Sequence, residues 1–371
     1  MKKICHITTA HPPITTRIFY KELKTLAGAG YDVTIIAPHT KKETIGGIKI
    51  VPLTRSRSRF YRIFFLTRKA YKLAIKEKAA VYHFHDPELL PWVIRLKKKT
   101  GAKIIYDVHE DYPRQILAKK WIPSILRGSM ARFFNFYEKR AAKKLDFIIT
   151  VGEDVQERLR TANPKIDTVK NFSLTENFNI KRKQAKKNGV FNLIYVGGLA
   201  EARGITQIVQ AMEHLSDNVR LMLLGKFFSD TYEETVKSLK GFKKAKHFGK
   251  IPFERIPDYL FQAHIGIICL WPTESYYRSV EPTKLFEYMS AGLPIIASNF
   301  PSWQKIVEEN KCGICVDPLK PKEIAGAVER LIRHPEEMKR MGENSRKLVM
   351  EKYNWQGEGK KLLAIYEKLT S

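Results

Sequence analysis

Lys3-Ile4-Cys5-His6-Ile7-Thr8, a segment from Thr16 to Ala29 with Leu23, Leu26 and Ala27 along one side, Gly30, and then Tyr31-Asp32-Val33-Thr34-Ile35-Ile36-Ala37 open the chain. Short β-branched, apolar runs on either side of a stretch with apolar residues three and four apart mark strand, helix and strand. The pattern repeats at Ala79 to His85, Lys103 to Val108 and Asp146 to Val151. Alternating strands and helices predict an α/β, doubly wound domain built on a parallel sheet. At residues 179–190 the periodicity stops in a polar, basic stretch that includes Lys181-Arg182-Lys183 and Lys186-Lys187, which reads as a linker. A second winding follows. Phe191 to Val196 leads into Gly197-Gly198 and a helix from Ile205 to Leu215. Strands are then expected at Val219 to Leu224, Lys246 to Phe248, Ile265 to Leu270, Pro294 to Ala297 and Gly313 to Val316. The expected organisation is a first domain at 1–178, the linker, a second domain at 191–352, and a terminal segment, 353–371. In that segment Leu362, Leu363, Ile365, Tyr366 and Leu369 suit a helix packing back on the first domain.

With 371 residues, 44% of them hydrophobic, the chain has enough apolar material for two cores, which excludes a disordered or fibrous protein. No apolar run approaches the roughly 20 residues of a membrane span, and the N-terminus enters its first strand without a signal-type apolar segment. A soluble cytoplasmic protein, or one held at a membrane surface, is expected. Four cysteines are too few for a disulfide framework, and Cys312-Gly313-Ile314-Cys315 reads as strand and turn. The formal net charge is +28. Residues 1–176 hold 35 Lys and Arg against 16 Asp and Glu, net +19, which leaves +9 for the rest. Such a field calls for an anionic partner: nucleic acid, an acidic membrane face or a phosphorylated small molecule.

In wound parallel sheets ligands bind beyond the carboxyl ends of strands, so polar residues just after strands carry the information. Val196-Gly197-Gly198-Leu199 with Arg203-Gly204 offers close backbone approach, a helix start and a cation, a set suited to phosphate. The run Ser279-Val280-Glu281-Pro282-Thr283-Lys284-Leu285-Phe286-Glu287-Tyr288-Met289-Ser290-Ala291-Gly292-Leu293-Pro294-Ile295-Ile296 places a proline at a helix start, a cation one turn in, then a carboxylate, with Gly-x-Pro leading back to a strand.

This last run resembles the donor-binding signature of glycosyltransferase family 4 (group 1), retaining enzymes of the GT-B fold, and is most similar to the branch that writes bacterial surface polysaccharides. His83-Phe84-His85-Asp86-Pro87-Glu88, Tyr106-Asp107-Val108-His109-Glu110, Asn171-Phe172, Tyr195 to Leu199 and the break at Tyr353 to Trp355 match in order and spacing, so the resemblance spans nearly the whole chain. It implies two Rossmann-like domains facing across a cleft, with the C-terminal helix crossing back. It further implies that Glu287 takes the ribose hydroxyls of a sugar nucleotide, UDP by expectation, Arg203 the diphosphate, the backbone at Lys250 and Ile251 the base, and His109 the donor sugar. The chain departs from the pattern at three places. Ser279 stands where the first glutamate of a Glu-x7-Glu pair would be, with Glu281 two residues on; Gly198 replaces an arginine; Thr15 replaces an aspartate ahead of Arg17-Ile18-Phe19. Lys284, in the first turn of the donor helix, is expected to restore the missing charge. A 2-epimerase of the same fold is the alternative within the family.

No metal is expected at the donor, because no Asp-x-Asp pair follows a strand in the second domain and the cations can neutralise a leaving diphosphate. His83 and His85 could ligate a metal two apart on a strand, but the preferred reading makes His83 a strand residue covered by helices and His85-Asp86-Pro87 a polar strand end lining the cleft. Arg55 to Lys69 and Ile116 to Lys144 interleave cations with aromatic residues. Half of the second stretch, at Ile122, Leu126, Met130, Phe133, Phe134, Tyr137 and Ala141, is expected to pack in the core, and the remainder to lie on an anionic membrane surface. A basic nucleic-acid-binding protein is the rival from another class, and no helix-turn-helix, zinc module or RNP-type aromatic signature supports it.

Overall fold

Ile4 to Ile7 pair in parallel with Val33 to Ile36 on one side and with Val81 to Phe84 on the other, which sets the centre of the first sheet. In the computed structural model, which describes residues 1–56, 58–119, 122–178, 189–273 and 282–371, contacts divide the chain into Met1–Asn171 with Gln356–Ser371, and Phe172–Trp355.

The first unit holds β1 (Lys3–Ile7), β2 (Asp32–Pro38), β3 (Glu43–Ile45), β4 (Ile48–Leu53), β5 (Val81–Phe84), β6 (Lys103–Val108), β7 (Phe147–Thr150) and β8 (Ile166–Thr168), in the order β3-β4-β2-β1-β5-β6-β7-β8. Every pairing is parallel except β3 with β4. That hairpin and β8 were not expected from the sequence. Gly46 and Gly47, with φ of +56° and +79°, make the two-residue turn that a hairpin of this twist requires. Strand alternation divides the sheet's faces. Cys5, Ile7, Tyr82, Phe84, Ile104, Tyr106 and Val108 belong to one apolar core. The intervening His6, His83, His85 and Asp107 are buried on the other face, where Tyr366 of the Trp355–Thr370 helix reaches the same imidazoles.

The second unit orders β9 (Phe191–Val196), β10 (Val219–Leu224), β11 (Ala245–Gly249), β12 (Ile265–Ile268), β13 (Ile295–Ser298) and β14 (Gly313–Val316) as β11-β10-β9-β12-β13-β14, all parallel. Leu193 and Tyr195 face one core while Ile194 and Val196 face the other, so this sheet is buried on both sides. The strands run outward in both directions from β9, which makes the carboxyl ends of β9 and β12 the switch point where such sheets bind ligands.

The division between units falls at Asn171/Phe172 and Trp355/Gln356, not at 178 and 352. Phe172, Phe286 and Tyr353 explain it: their ring centroids lie 4.8 to 5.2 Å apart, and Phe178 joins the same core. Aromatic pairs of this kind contribute about 0.5–1.5 kcal/mol beyond their burial, which ties both flanking segments to the second unit.

The helix from Ser124 to Ala142 is more exposed than its spacing suggested. Ile122 and Ala141 are buried, but Leu126, Met130 and Phe133 face solvent, and the helix packs inward through Ala131, Glu138, Ala141 and Ala142. No helix among the described residues is long and apolar enough to cross a membrane.

Candidate functional site

At the switch point of the second unit, Gly197 follows β9 with φ +134°, a conformation that favours glycine. A Cβ there would stand 2.7 Å from Lys284 Nζ. Lys284 lies in the first turn of the Thr283–Ser290 helix, donates to the Tyr195 hydroxyl at 2.8 Å and sits 4.3 Å from the centre of the Tyr195 ring. Tyr195 in turn donates to the Gly198 carbonyl at 3.2 Å. The lysine therefore occupies space that Gly197 leaves open, beside the position where the family arginine is missing. A Cβ on Gly198 would fall within 2.4 Å of the Phe228 ring.

Removal from water, reinforced by the charge of Arg203 and opposed by Glu287, lowers the Lys284 pKa to about 7. Arg203 ends the short Glu201–Arg203 turn, and Glu287 is one helical turn beyond Lys284 on the same helix. Among the described residues the charges that act on Lys284 are one cation and one carboxylate, a balance suited to an anion. Lys250 and Ile251 follow β11 at the same end of the sheet: Gly197 N–H donates to Leu224 O and Gly225 N–H to Gly249 O, each at 2.8 Å, so the three strand ends are tied in a row. Ser279 and Glu281 lie outside the described residues. Sequence reading missed Tyr195, which reads as an ordinary core strand residue, and Phe228.

In the first unit the helical segment that begins at Thr16 is capped by Thr15, whose hydroxyl accepts from Ile18 N–H at 3.3 Å, so the departure at this position keeps a capping residue. The helix delivers Arg17 to Asp107. Arg17 Nε donates to Asp107 Oδ2 at 3.1 Å and Nη2 to Oδ1 at 3.0 Å, while Nη1 donates to Val169 O. Burial works against the charge on Asp107, but Arg17 and His109 outweigh it and hold the carboxyl well below the usual range. Glu22 shows the opposite outcome: burial and the Asp107 charge push its carboxyl well above the ordinary value, although Arg17 Nε stands 2.9 Å from Oε1. That nitrogen's hydrogen is directed at Asp107, which leaves Glu22 without a hydrogen bond of good geometry.

His109, after β6, keeps one edge open with its side chain 16% exposed, and its Nε2 lies 3.0 Å from both Asp107 Oδ2 and His85 Nδ1. His85 Nε2 is 3.0 Å from His6 Nδ1, His6 Nε2 is 3.0 Å from the Tyr366 hydroxyl, and His83 Nδ1 is 2.7 Å from that hydroxyl. Burial lowers the pKa of His6, His83 and His85, so all three are neutral. His6, Glu22, His83 and His85, and separately His85, Asp107 and His109, have ligand atoms within 4.8 Å of one another and could hold a metal ion. His83 is a covered strand residue, as the sequence suggested. His85 and Asp86, expected at a polar strand end, are buried there. Asp86 accepts from Thr8 Oγ1 at 2.8 Å and Thr9 N–H at 2.6 Å, which fastens the loop after β1 beneath His11. Glu110 is exposed and bonds Gln115, a loop charge.

A family model described as "Glycosyl transferases group 1" matches residues 176–348, and one described as "Glycosyltransferase Family 4" matches residues 16–172. Their limits meet where the two units divide. MMP alpha-(1->4)-mannosyltransferase of Mycolicibacterium hassiacum is 24% identical over 300 residues, which take in 76% of this chain and 70% of the relative. Sucrose-phosphate synthase from Thermosynechococcus elongatus superposes with a TM-score of 0.78 at 18% identity, covering 100% of this chain and 99% of the other. Anabaena Alr3699/HepE in complex with UDP-glucose gives 0.72 at 12% identity, covering 99% and 100%. At such identities the solved structures speak for the fold alone.

Proposed function

Because the chain belongs to the group 1 glycosyltransferases of family 4 and is a glycosyltransferase of GT-B type, we propose that it moves a sugar from a nucleotide-diphosphate sugar to a lipid-linked or polymeric cell-surface glycan, with retention of configuration. The nucleotide in this reading is UDP, in keeping with the UDP-glucose held by one structural neighbour. The observation that carries the proposal is Lys284, which donates to the Tyr195 hydroxyl in the space beside Gly197 and whose pKa is lowered by burial first and by repulsion from Arg203 second. A diphosphate at this rim relieves that repulsion. As the bond between the anomeric carbon and the diphosphate oxygen breaks, Lys284 and Arg203 take up the growing negative charge. The acceptor hydroxyl forms its bond on the same face, and its proton passes to the departing diphosphate oxygen. Glu287 is assigned the ribose hydroxyls, Lys250 and Ile251 the base, and His109 the sugar. The charge being supplied by side chains, no divalent metal is assigned to the donor step. The test is a panel of sugar nucleotides assayed for released nucleotide diphosphate: release from one donor, retained in EDTA, is expected. Release from none, or release lost in EDTA and restored by magnesium or manganese, contradicts it.

The working place assigned to the enzyme is the cytoplasmic membrane face, as a peripheral protein. Phe60, Phe64 and Phe65 are more than half exposed, as are Ile125, Phe133 and Phe136 of the Ser124–Ala142 helix. Lys119 lies within reach of Arg59 and Arg62: burial, followed by the charge of Arg59, lowers its pKa. Aromatic side chains beside clustered cations suit shallow insertion among anionic lipids, where each cation contributes about 1 kcal/mol. Trp121 and Arg57, also assigned to this surface, lie outside the described residues. Vesicles rich in phosphatidylglycerol should bind the protein at low salt and release Arg59→Glu/Lys119→Glu. Equal pelleting of that variant, or equal binding of the unaltered protein to neutral vesicles, contradicts a charged membrane partner.

A further inference from the structure

Resting on the donor reading above, we infer that Phe228 is a further donor-binding residue, the flat platform on which the nucleotide base stacks beside the diphosphate. Phe228 lies in the loop after β10 and is 72% exposed. A lone exposed aromatic needs no explanation by itself. The glycine beneath this one does. Gly198 lacks the positive φ of Gly197, Gly204 and Gly225, so its backbone suits any residue. What glycine supplies there is room: a Cβ would stand 2.4, 2.8 and 3.2 Å from Cζ, Cε1 and Cε2 of Phe228. Three consecutive ring atoms at such distances set the far half of the ring against Gly198, and the rest of the ring stands open.

The backbone beneath the ring is fixed from both sides. Leu199 N–H donates to Lys226 O at 2.9 Å and Phe228 N–H to Leu199 O at 3.1 Å, a parallel bridge between Leu199 and Phe227. Phe227 is buried, with its ring centroid 6.0 Å from Tyr232 and 5.0 Å from His247, and Ser229 caps the Asp230–Ser238 helix by accepting from Tyr232 N–H. A Cβ on Gly225 would fall 1.8 Å from Gly197 O, so the loops after β9 and β10 lie backbone to backbone. An aromatic face held this firmly loses little freedom when a ligand covers it. Its place in the site names the ligand. The Gly198 carbonyl accepts from the Tyr195 hydroxyl, which accepts from Lys284, so the platform is tied to the cation assigned to the diphosphate. In the sheet β10 lies between β9 and β11. A nucleotide with its diphosphate at the end of β9 and its base toward Lys250 and Ile251, after β11, therefore lays its nucleoside across the loop that carries Phe228. Every base has a π face for such a ring, and the ring reads no edge of it.

Calorimetry of the full chain with inorganic pyrophosphate and with UDP, or GDP if the parent prefers it, separates base from diphosphate. Phe228→Ala should weaken the nucleoside diphosphate roughly 5- to 150-fold and leave pyrophosphate unchanged. Its melting temperature should match the parent's, because the side chain is exposed. Phe228→Trp should keep the affinity, whereas Phe228→Leu, apolar but without a π face, should not. In proton spectra the ring protons of the bound base should move upfield with the parent and less with Phe228→Leu. Gly198→Ala, which crowds the ring, should weaken the nucleotide in the parent and weaken it no further in Phe228→Ala. Equal nucleotide affinity of Phe228→Ala and the parent, or an equal loss with pyrophosphate, overturns the inference while the donor reading stands. A loss seen only with the accepted sugar nucleotide, and not with its nucleoside diphosphate, overturns it too, since the ring would then meet the sugar. A parent that binds no nucleoside diphosphate refutes the donor reading, and the platform with it.

Discussion

The two polar sites of this molecule are built on opposite electrostatic plans. Around Asp107 in the first unit Arg17 is paired with Asp107, Glu22 is kept neutral and three imidazoles are neutral by burial. Around Lys284 in the second unit the described residues set Arg203 and Glu287 against the lysine, which burial above all holds near pKa 7. The first arrangement is complete by itself and therefore fixes positions. The second suits an anion, which is why the donor diphosphate is assigned to it.

Breaking the complete site should cost most. Arg17→Leu leaves Asp107 buried without its cation, and unfolding in urea should show a loss of about 3–5 kcal/mol. The double change Arg17→Leu/Asp107→Asn should recover part of it; a single variant as stable as the parent would mean the pair is not a matched one. Breaking the incomplete site should spare the fold. Arg203→Ala and Glu287→Ala should unfold like the parent yet bind sugar nucleotide more weakly by about 1.5–3 kcal/mol each, the value of a hydrogen bond to a charged group. Unchanged affinity of both in calorimetry would remove them from the donor site.

Acid should sharpen the contrast. His6, His83 and His85 have folded pKa values below the ordinary 6.5, so the unfolded chain binds more protons than the folded one as pH falls through about 6.5. Their contribution is present above that pH and is lost below it. Glu22, with its pKa raised, acts in the opposite sense above its ordinary value of 4.5 and cancels part of the slope, one proton against three. Stability should therefore fall from pH 7 to pH 5, by roughly 1–3 kcal/mol per pH unit at the steepest. A melting temperature flat across this range would show that the imidazoles are not buried neutral.

How much of this was legible beforehand follows from what each feature depends on. β-branched runs spaced by helices gave both parallel sheets, because strand and helix periodicity are local properties. The Ile48–Leu53 strand escaped notice although Gly46-Gly47 marks its hairpin turn. Lys284 could be singled out because proline, cation and carboxylate are close in sequence. Tyr195 could not, since its hydroxyl is aimed at Lys284 only by the packing of helix against strand. The imidazole cluster needs the parallel register that sets His6 opposite His83, and a tyrosine from the far end of the chain. The Ser124–Ala142 helix misled because apolar spacing identifies a face without saying what covers it; Phe133 is 71% exposed.

The contrast between the two sites turns on whether Lys284 meets an anion. Calorimetry of the unaltered protein and Lys284→Met with the accepted sugar nucleotide, at pH 6.5 and pH 8.5, tests this directly, because the diphosphate of such a donor does not titrate in that range. An anion beside Lys284 raises its pKa, so binding at pH 8.5 should take up about one proton and be weaker than at pH 6.5. Lys284→Met should bind about 10- to 150-fold more weakly at pH 6.5, the equivalent of 1.5–3 kcal/mol, and should lose most of the pH dependence. Equal affinities for the two proteins at both pH values, with no proton taken up, would contradict the assignment of Lys284 to the diphosphate.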